Sequence, residues 1–382
     1  MPKAKIGLAG CFRRIALSVV AVVGVLALCG AVYEQLGEWQ DLRRFPRQGR
    51  AVRAVGITLN LNCYGSARPT VVLDSGLGSS SLGWVRIQPE IAKFARVCSY
   101  DRAGYGWSDP ASGARTSLQI AKELKQLLDA ADERGPYILV GPSFGGFIIR
   151  VFTGLYPEDV GGLVFVDPSH EDQQSRVDEI IPAASDRRVR EEEQERRSER
   201  LALMLSKVKV PLGIERLQSA LHPEKPEPAF GLSAHVVEEF NYLDQQLKTR
   251  EAVAAESASM SESGRMAKAS GALGDRPTVV LTGGRMEFTP DPLFTKDVQE
   301  KLRNLWINVL QVKEAHLSSR GRQVILNDSG HLIQFERPDA VVNSVREVWT
   351  EVRASRNWPD ARSRSDASTT IGSGLAALSF VF

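Results

Sequence analysis

The segment Tyr137–Tyr156 reads YILVGPSFGGFIIRVFTGLY: an apolar run of strand type enters Gly141-Pro142-Ser143-Phe144-Gly145, and an apolar-periodic helix pattern leaves it. In a G-x-S-x-G turn of this kind the chain reverses so tightly from strand to helix that the serine takes a strained backbone conformation. Side chains at the two flanking positions would collide. Ser143 is therefore expected to stand exposed at a helix N-terminus, where a nucleophile can reach a substrate.

A serine hydroxyl is a weak nucleophile at neutral pH and needs a base, and the base needs an acid to orient it. The chain has 5 His. His170, His222, His235 and His316 fall in or beside an insertion or on a connecting helix. His331 follows a strand and a turn in VILNDSGHLIQFERPDAV, which puts its imidazole at the sheet edge where the nucleophile turn opens. The acid stays open between three residues. Glu287, in GGRMEFTP after the strand Thr278–Leu281, is the first expectation and gives the chain order Ser, acid, His. Asp167, ending the preceding strand in VFVDPSH, and Asp291, four residues beyond Glu287, compete with it. Acyl chemistry also requires donors for a developing oxyanion. The N–H of Phe144, directly after the nucleophile, supplies one, and that of Leu77, in the turn Ser75-Gly76-Leu77-Gly78 after PTVVLD, is expected to supply the other.

Several other chemistries are excluded. The glycines of that turn are not a phosphate loop, because no G-K-[ST] follows. The 4 Cys, at 11, 29, 63 and 98, form no C-x-x-C pair and no Cys/His cluster, so neither a structural zinc site nor any other metal or cofactor is expected. Lys plus Arg number 48 against 46 for Asp plus Glu, a net charge of +2, which is not the one-signed field that binds nucleic acid.

The elements that must position these residues have an α/β pattern. With 382 residues, 43% hydrophobic and 25% charged, the chain can bury a sizeable core. From residue 51 onward short β-branched runs alternate with Gly/Pro turns and helix-length amphipathic segments. Strands are expected at 51–55, 57–63, 70–74, 96–100, 137–140, 163–166, 278–281 and 323–326. Near-continuous apolar runs such as YILV, LVFV and TVVL suit a mainly parallel sheet covered on both faces. Between Val166 and Thr278 the alternation breaks for an inserted stretch of helical character. In it, Asp186–Arg200 reads as a solvated helix with i,i+4 pairs Glu192/Arg196 and Glu193/Arg197, and the prolines at 223, 226 and 228 make a non-helical connection. The polar tail, residues 354–382, is expected to be disordered.

Ahead of all this lies Ile15–Tyr33, 19 residues without a charge, close to the ~20 needed to span the hydrocarbon layer as a helix. Lys3, Lys5, Arg13 and Arg14 precede it and Glu34, Glu38 and Asp41 follow, which orients the N-terminus toward the cytoplasm and the rest of the chain outside. Residues 1–34 are thus expected to be a membrane anchor, with a cleaved signal segment, and so a secreted protein, as the alternative. Export would permit a disulfide between Cys63 and Cys98, each in a strand-like run.

Residues from about 50 to 353 resemble the α/β-hydrolase superfamily. The resemblance rests on LDSGLG, SYDRAGYGWSD, LVGPSFGG with YPEDVGGLVFVD, and SGHLIQFERPDAV, in that order. In that superfamily these are the oxyanion turn, a structural turn near the site, the nucleophile elbow and the histidine loop. The resemblance implies an eight-stranded, mostly parallel sheet in two parts, 50–167 and 278–353, interrupted after strand six by a helical lid, 168–277. Two departures stand out: Pro142 where relatives often have His, and Glu287 where Asp is more usual. Asp101 and Arg102 match a structural turn. Ser143 argues against the dehalogenase and epoxide chemistry of members with an Asp nucleophile. The implied activity is hydrolysis of an ester or amide of a small, partly apolar molecule through an acyl-enzyme. The alternatives are C–C bond or peptide hydrolysis or haloperoxidase-type perhydrolysis by the same residues, and a non-catalytic receptor that only binds in the pocket.

Overall fold

Eight strands join in one sheet, in the order β1-β2-β4-β3-β5-β6-β7-β8. They are β1 (Arg50–Ala54), β2 (Ile57–Tyr64), β3 (Thr70–Leu73), β4 (Val97–Asp101), β5 (Tyr137–Pro142), β6 (Val160–Val166), β7 (Thr278–Gly283) and β8 (Gly321–Leu326). From β4 to β8 all neighbours run parallel, whereas β2 lies antiparallel to both β1 and β4. The computed structural model describes residues 8–110, 112–223, 227–288 and 291–355. Residues 356–382, on which the expectation of a disordered tail falls, lie outside the described residues, as do 224–226 of the proline-rich connection.

The period-2 alternation of the central strands sends apolar side chains to both faces. Val72, Leu139, Phe165 and Val280 face one side, where they pack with Ile120 and Leu124 of α3 (Ser117–Ala130) and Ile148 and Phe152 of α4 (Gly145–Leu155). Val71, Ile138, Val140, Val164 and Leu281 face the other, against Ile91 of α2 (Gln88–Ala92) and Val341, Val345 and Val348 of α14 (Pro338–Ala354). Strand β6 begins at Val160, three residues before the apolar run that announces it. Gly161 and Gly162 are the reason: a Cβ on them would come within 2.7 and 2.5 Å of Val352 and Val348. The glycine pair ahead of the apolar run lets α14 pack directly against the sheet.

Among the described residues, six helices intervene between β6 and β7: α5 (Gln173–Ile180), α6 (Pro182–Lys209), α7 (Ile214–Leu221), α8 (Ala234–Gln245), α9 (Leu247–Ala258) and α10 (Met260–Ala269). Helices α11 (Lys296–Asn304), α12 (Gln311–Ala315) and α13 (Ile333–Glu336) flank β8. The uncharged N-terminal run lies within one long helix, α1 (Leu8–Arg44), and none of its most apolar 18-residue window is fully buried. Among the described residues, its contacts lie in its C-terminal half. Arg216 of α7 pairs with Glu34 and Asp41 at 3.1 and 2.8 Å, and Phe45, just past the helix, stacks on Tyr242 of α8. Cys63 of β2 stands directly opposite Cys98 of β4, and the two are joined as a disulfide with a Cα separation of 4.1 Å.

Candidate active site

The turn between β5 and α4 sets Ser143 at the C-terminal edge of the sheet with a backbone φ of +48°. A left-handed conformation is costly for a residue with a Cβ, and its surroundings hold it. The Ser143 N–H donates to the Val166 carbonyl (3.2 Å), and the Ser143 carbonyl accepts from Gly146 (2.9 Å) and Ser169 (3.1 Å). A Cβ on Gly141 would lie 2.6 Å from the Gly145 carbonyl oxygen, and one on Gly145 would lie 2.9 Å from that of Ser75. This is the collision that the G-x-S-x-G spacing avoids. Ser143 itself is only half-buried, and α4 begins two residues later.

His331 lies in the loop between β8 and α13, with its side chain half exposed. Its Nδ1 is 2.7 Å from Oδ2 of Asp167, the residue that follows β6. A carboxylate oxygen can only accept, so Nδ1–H donates and Nε2 is left as the free basic nitrogen. Asp167 is buried and also has a left-handed backbone, φ +45°. Its other oxygen, Oδ1, accepts from the Gly283 N–H (2.9 Å) at the end of β7 and from Trp306 Nε1 (3.0 Å). Three N–H groups thus fix this carboxylate. Gly283 is small for a second reason: a Cβ there would come within 2.4 Å of the Gly330 carbonyl, in the loop that carries the histidine.

Glu287, the first expectation for the orienting acid, is not at the imidazole. It lies in the exposed segment after β7, with its side chain 84% exposed and ion-paired to Arg285 at 3.3 Å. Asp291 is turned elsewhere as well. Its carboxylate accepts from the Leu293 N–H and pairs with Arg187 at 2.8 Å, and that backbone hydrogen bond and the guanidinium hold it below the usual range. The reason is local. Strand β7 ends in Gly283-Gly284 against the histidine loop and leaves no room there for a side chain, whereas Asp167 leaves β6 beside the nucleophile turn. The order Ser, acid, His holds with Asp167 too. Trp306 carries no signal in the sequence: it sits in a π-helical turn, Leu305–Leu310, of a kind often found at functional sites but without a periodic pattern of its own.

The turn after β3 passes over Ser143: a Cβ on Gly76 would lie 3.6 Å from that of Ser143. Arg102 holds this turn from the side. It donates through Nη1 to the Ser75 carbonyl (2.7 Å) and to Asp74 Oδ1 (2.9 Å), and through Nη2 to the Gly76 carbonyl (2.8 Å). In a trans peptide the N–H points opposite to the C=O, so the Leu77 N–H is directed away from the guanidinium. Phe144 precedes the first turn of α4, where N–H groups have no intrahelical partner. The remaining donors of Arg102 go to an inserted helix, Nε and Nη2 pairing with Glu256 of α9 at 2.8 and 2.9 Å, and Tyr105 also donates to Glu256 (2.8 Å). Burial alone would lower the Arg102 pKa, but Glu256 and Asp74 raise it well above its ordinary value. The neighbouring Asp101 accepts from the Ser81 and Trp107 N–H groups and from Asn60, a purely internal set of partners.

Two groups among the described residues bring metal-ligand types together. In one, Cys63 and Cys98 are consumed by their disulfide. In the other, His170, Glu171 and Glu314 surround the guanidinium of Arg150, which donates to Glu171 at 2.7 Å and Glu314 at 3.0 Å and so already fills the cation position.

The α/β-hydrolase-fold family profile matches residues 69–338. A Hormonema carpetanum protein named as a transporter (efuK) is 26% identical over 314 residues, 76% of this chain and 40% of the relative. The 2-hydroxy-6-oxo-2,4-heptadienoate hydrolase of Pseudomonas putida is 33% identical over 121 residues, 31% of this chain and 44% of that enzyme. The chain thus spans less than half the length of these curated relatives. Among solved structures, a thermophilic esterase from Thermogutta terrifontis has a TM-score of 0.53 at 21% identity, covering 80% of this chain and 99% of the esterase, a likeness of fold. On the extent of the profile match and the eight-stranded sheet, this chain belongs to the α/β-hydrolase fold family.

Proposed function

We propose that this protein is a serine hydrolase that cleaves an ester or amide of a small, partly apolar molecule. Ser143 attacks the carbonyl while His331 Nε2 takes its proton. Asp167 keeps the imidazole in the Nδ1–H tautomer and stabilises its cation, and the N–H groups of Leu77 and Phe144 receive the oxyanion. His331 then returns the proton to the leaving group, and water releases the acyl-enzyme. The observation that carries the reading is the 2.7 Å pair of His331 and Asp167, on the same sheet edge as a serine strained to φ +48°. A fluorophosphonate probe should label Ser143 and leave Ser143→Ala unlabelled; an unlabelled intact protein would refute the reading.

The similarity to an enzyme named for 2-hydroxy-6-oxo-2,4-heptadienoate favours one variant, in which the same residues hydrolyse a C–C bond next to a ketone. A panel of p-nitrophenyl esters of rising chain length run beside a 2-hydroxy-6-oxo-dienoate separates the two by relative kcat/KM. Residues 168–277 serve as the lid over the site. In the same reading α1 is retained as a membrane anchor with the catalytic part outside the cytoplasm. The basic residues before the apolar run support that orientation, and the Cys63–Cys98 disulfide suits an oxidising compartment.

A further inference from the structure

The turn between α6 and α7 rests on α1 at a depth that has a consequence for the membrane. A Cβ on Gly30 would lie 2.2 Å from the Leu212 carbonyl oxygen, and one on Gly213 would lie 2.6 Å from the Gly30 carbonyl. These two glycines bring the turn directly onto the helix backbone. Gly30 is inside the uncharged run Ile15–Tyr33, six residues past its centre at Gly24. At the α-helical rise that is about 9 Å along the axis, whereas half the hydrocarbon layer is about 15 Å. If α1 spans the bilayer centred on its apolar run, the turn at Gly30 lies below the hydrocarbon boundary.

The inserted helices are built for that position. On α6, Leu201, Met204, Leu205 and Val208 recur at i, i+3, i+4 and i+7 and all are exposed. On α7, Ile214, Leu217 and Leu221 do the same at i, i+3 and i+7. Among the described residues, most of the exposed large apolar side chains outside α1 fall on these two stripes. The connecting Val210–Ile214 carries no charge. The charges around it are drawn into pairs: Lys207 with Glu251 (2.8 Å), Glu215 with Arg250 (2.9 Å), and Arg216 with Glu34 and Asp41. Lys209 has a stem long enough to carry its ammonium to headgroup level.

We infer that the α6–α7 tip is a second membrane element, inserted beside α1 into the outer half of the same bilayer, with its two apolar stripes against lipid. The inference rests on the reading of α1 as an anchor, because continuity with that helix commits the surface to a bilayer. It holds the inserted helices, whose Glu256 is tied to Arg102 beside the oxyanion turn, at the membrane surface, where an apolar substrate partitions.

The test uses the full chain in phosphatidylcholine/phosphatidylglycerol nanodiscs. Cys11 and Cys29 are replaced by Ser, and an environment-sensitive NBD label is placed in turn at Val22→Cys, Leu217→Cys and Ile325→Cys, the last an exposed apolar site on β8. Doxyl-labelled lipid should quench the first two by more than twofold and leave the third unchanged. Quenching at Val22 without quenching at Leu217 overturns the insertion and leaves the anchor standing. No quenching at Val22 overturns the anchor and, with it, this inference. Quenching at Ile325 equal to that at Leu217 would mean nonspecific adsorption and also overturns it. A blue shift at Leu217 that depends on protein dilution and not on lipid would assign the stripes to a second copy of the chain.

Discussion

His331 Nδ1 and Asp167 Oδ2 are 2.7 Å apart although 164 residues separate them in the chain. The pair exists because β6 and β8 flank β7 in the sheet, so the residue after β6 and the loop after β8 meet across the glycine end of β7. Asp167→Asn should lower kcat by about 10³–10⁴-fold, since an amide can present N–H to the imidazole and stabilise the wrong tautomer. Glu287→Gln should stay within about twofold, as expected for an exposed carboxylate with one surface partner. Ester hydrolysis by both variants, with circular dichroism as the folding control, checks the ranking, and the opposite order would return the acid to the loop after β7.

Arg102 and Glu256 form a second long-range pair, which makes the geometry of the oxyanion turn depend on an inserted helix. Arg102 fixes the carbonyls of Ser75 and Gly76, and Glu256 fixes Arg102. Truncating one partner of a buried ion pair costs about 3–5 kcal/mol of stability, so the informative change is isosteric. Glu256→Gln keeps one acceptor but removes the charge that aligns the guanidinium. Its kcat should fall about tenfold, equivalent to about 1.4 kcal/mol of transition-state stabilisation, with KM within about twofold. A trifluoromethyl ketone, whose adduct needs the oxyanion donors, should lose affinity in parallel with kcat/KM. Unchanged inhibition would reduce the pair to a packing element.

Much of the fold was legible in the sequence, and the reasons are local. Runs such as YILV and TVVL announce buried parallel strands by length and β-branching, and the nucleophile turn carries its own steric signature in Gly141 and Gly145. The choice among carboxylates had no such signature. Asp167 and Glu287 both follow apolar strands, and what separates them is the Gly283 amide, the Trp306 indole and the close approach of Gly330, all of them more than 100 residues from Asp167 in the chain. Arg102 was readable as part of a structural turn, but not its tie to Glu256, 154 residues away. The pairing of Cys63 with Cys98 follows from the antiparallel register of β2 on β4, which strand-like runs alone do not fix.

Behind the site, a buried charge network should make stability depend on pH in a direction opposite to that of most carboxylates. Glu314 of α12 is fully buried beside Arg150 of α4, with its Oε1 lacking a hydrogen-bond partner. Burial raises its pKa from 4.5 to about 7, although Arg150 opposes the rise. Below 4.5 the folded and unfolded chains both carry the proton. As pH rises from 4.5 toward about 7, the unfolded chain loses it first, so the unfolded state binds fewer protons and stability falls. Glu314→Gln does not titrate and keeps an acceptor for Arg150. The stability of the wild type relative to this variant should therefore decline through that window by about 1–3 kcal/mol and level off above it. Urea unfolding of both proteins at pH 5 and pH 8 measures the difference. Arg150 lies on the helix that begins beside Ser143, and its other partner, Glu171, is four residues past Asp167. A difference that stayed constant with pH would show that Glu314 is ionised in the folded protein and that this network holds nucleophile and acid segments together as a permanent ion triad.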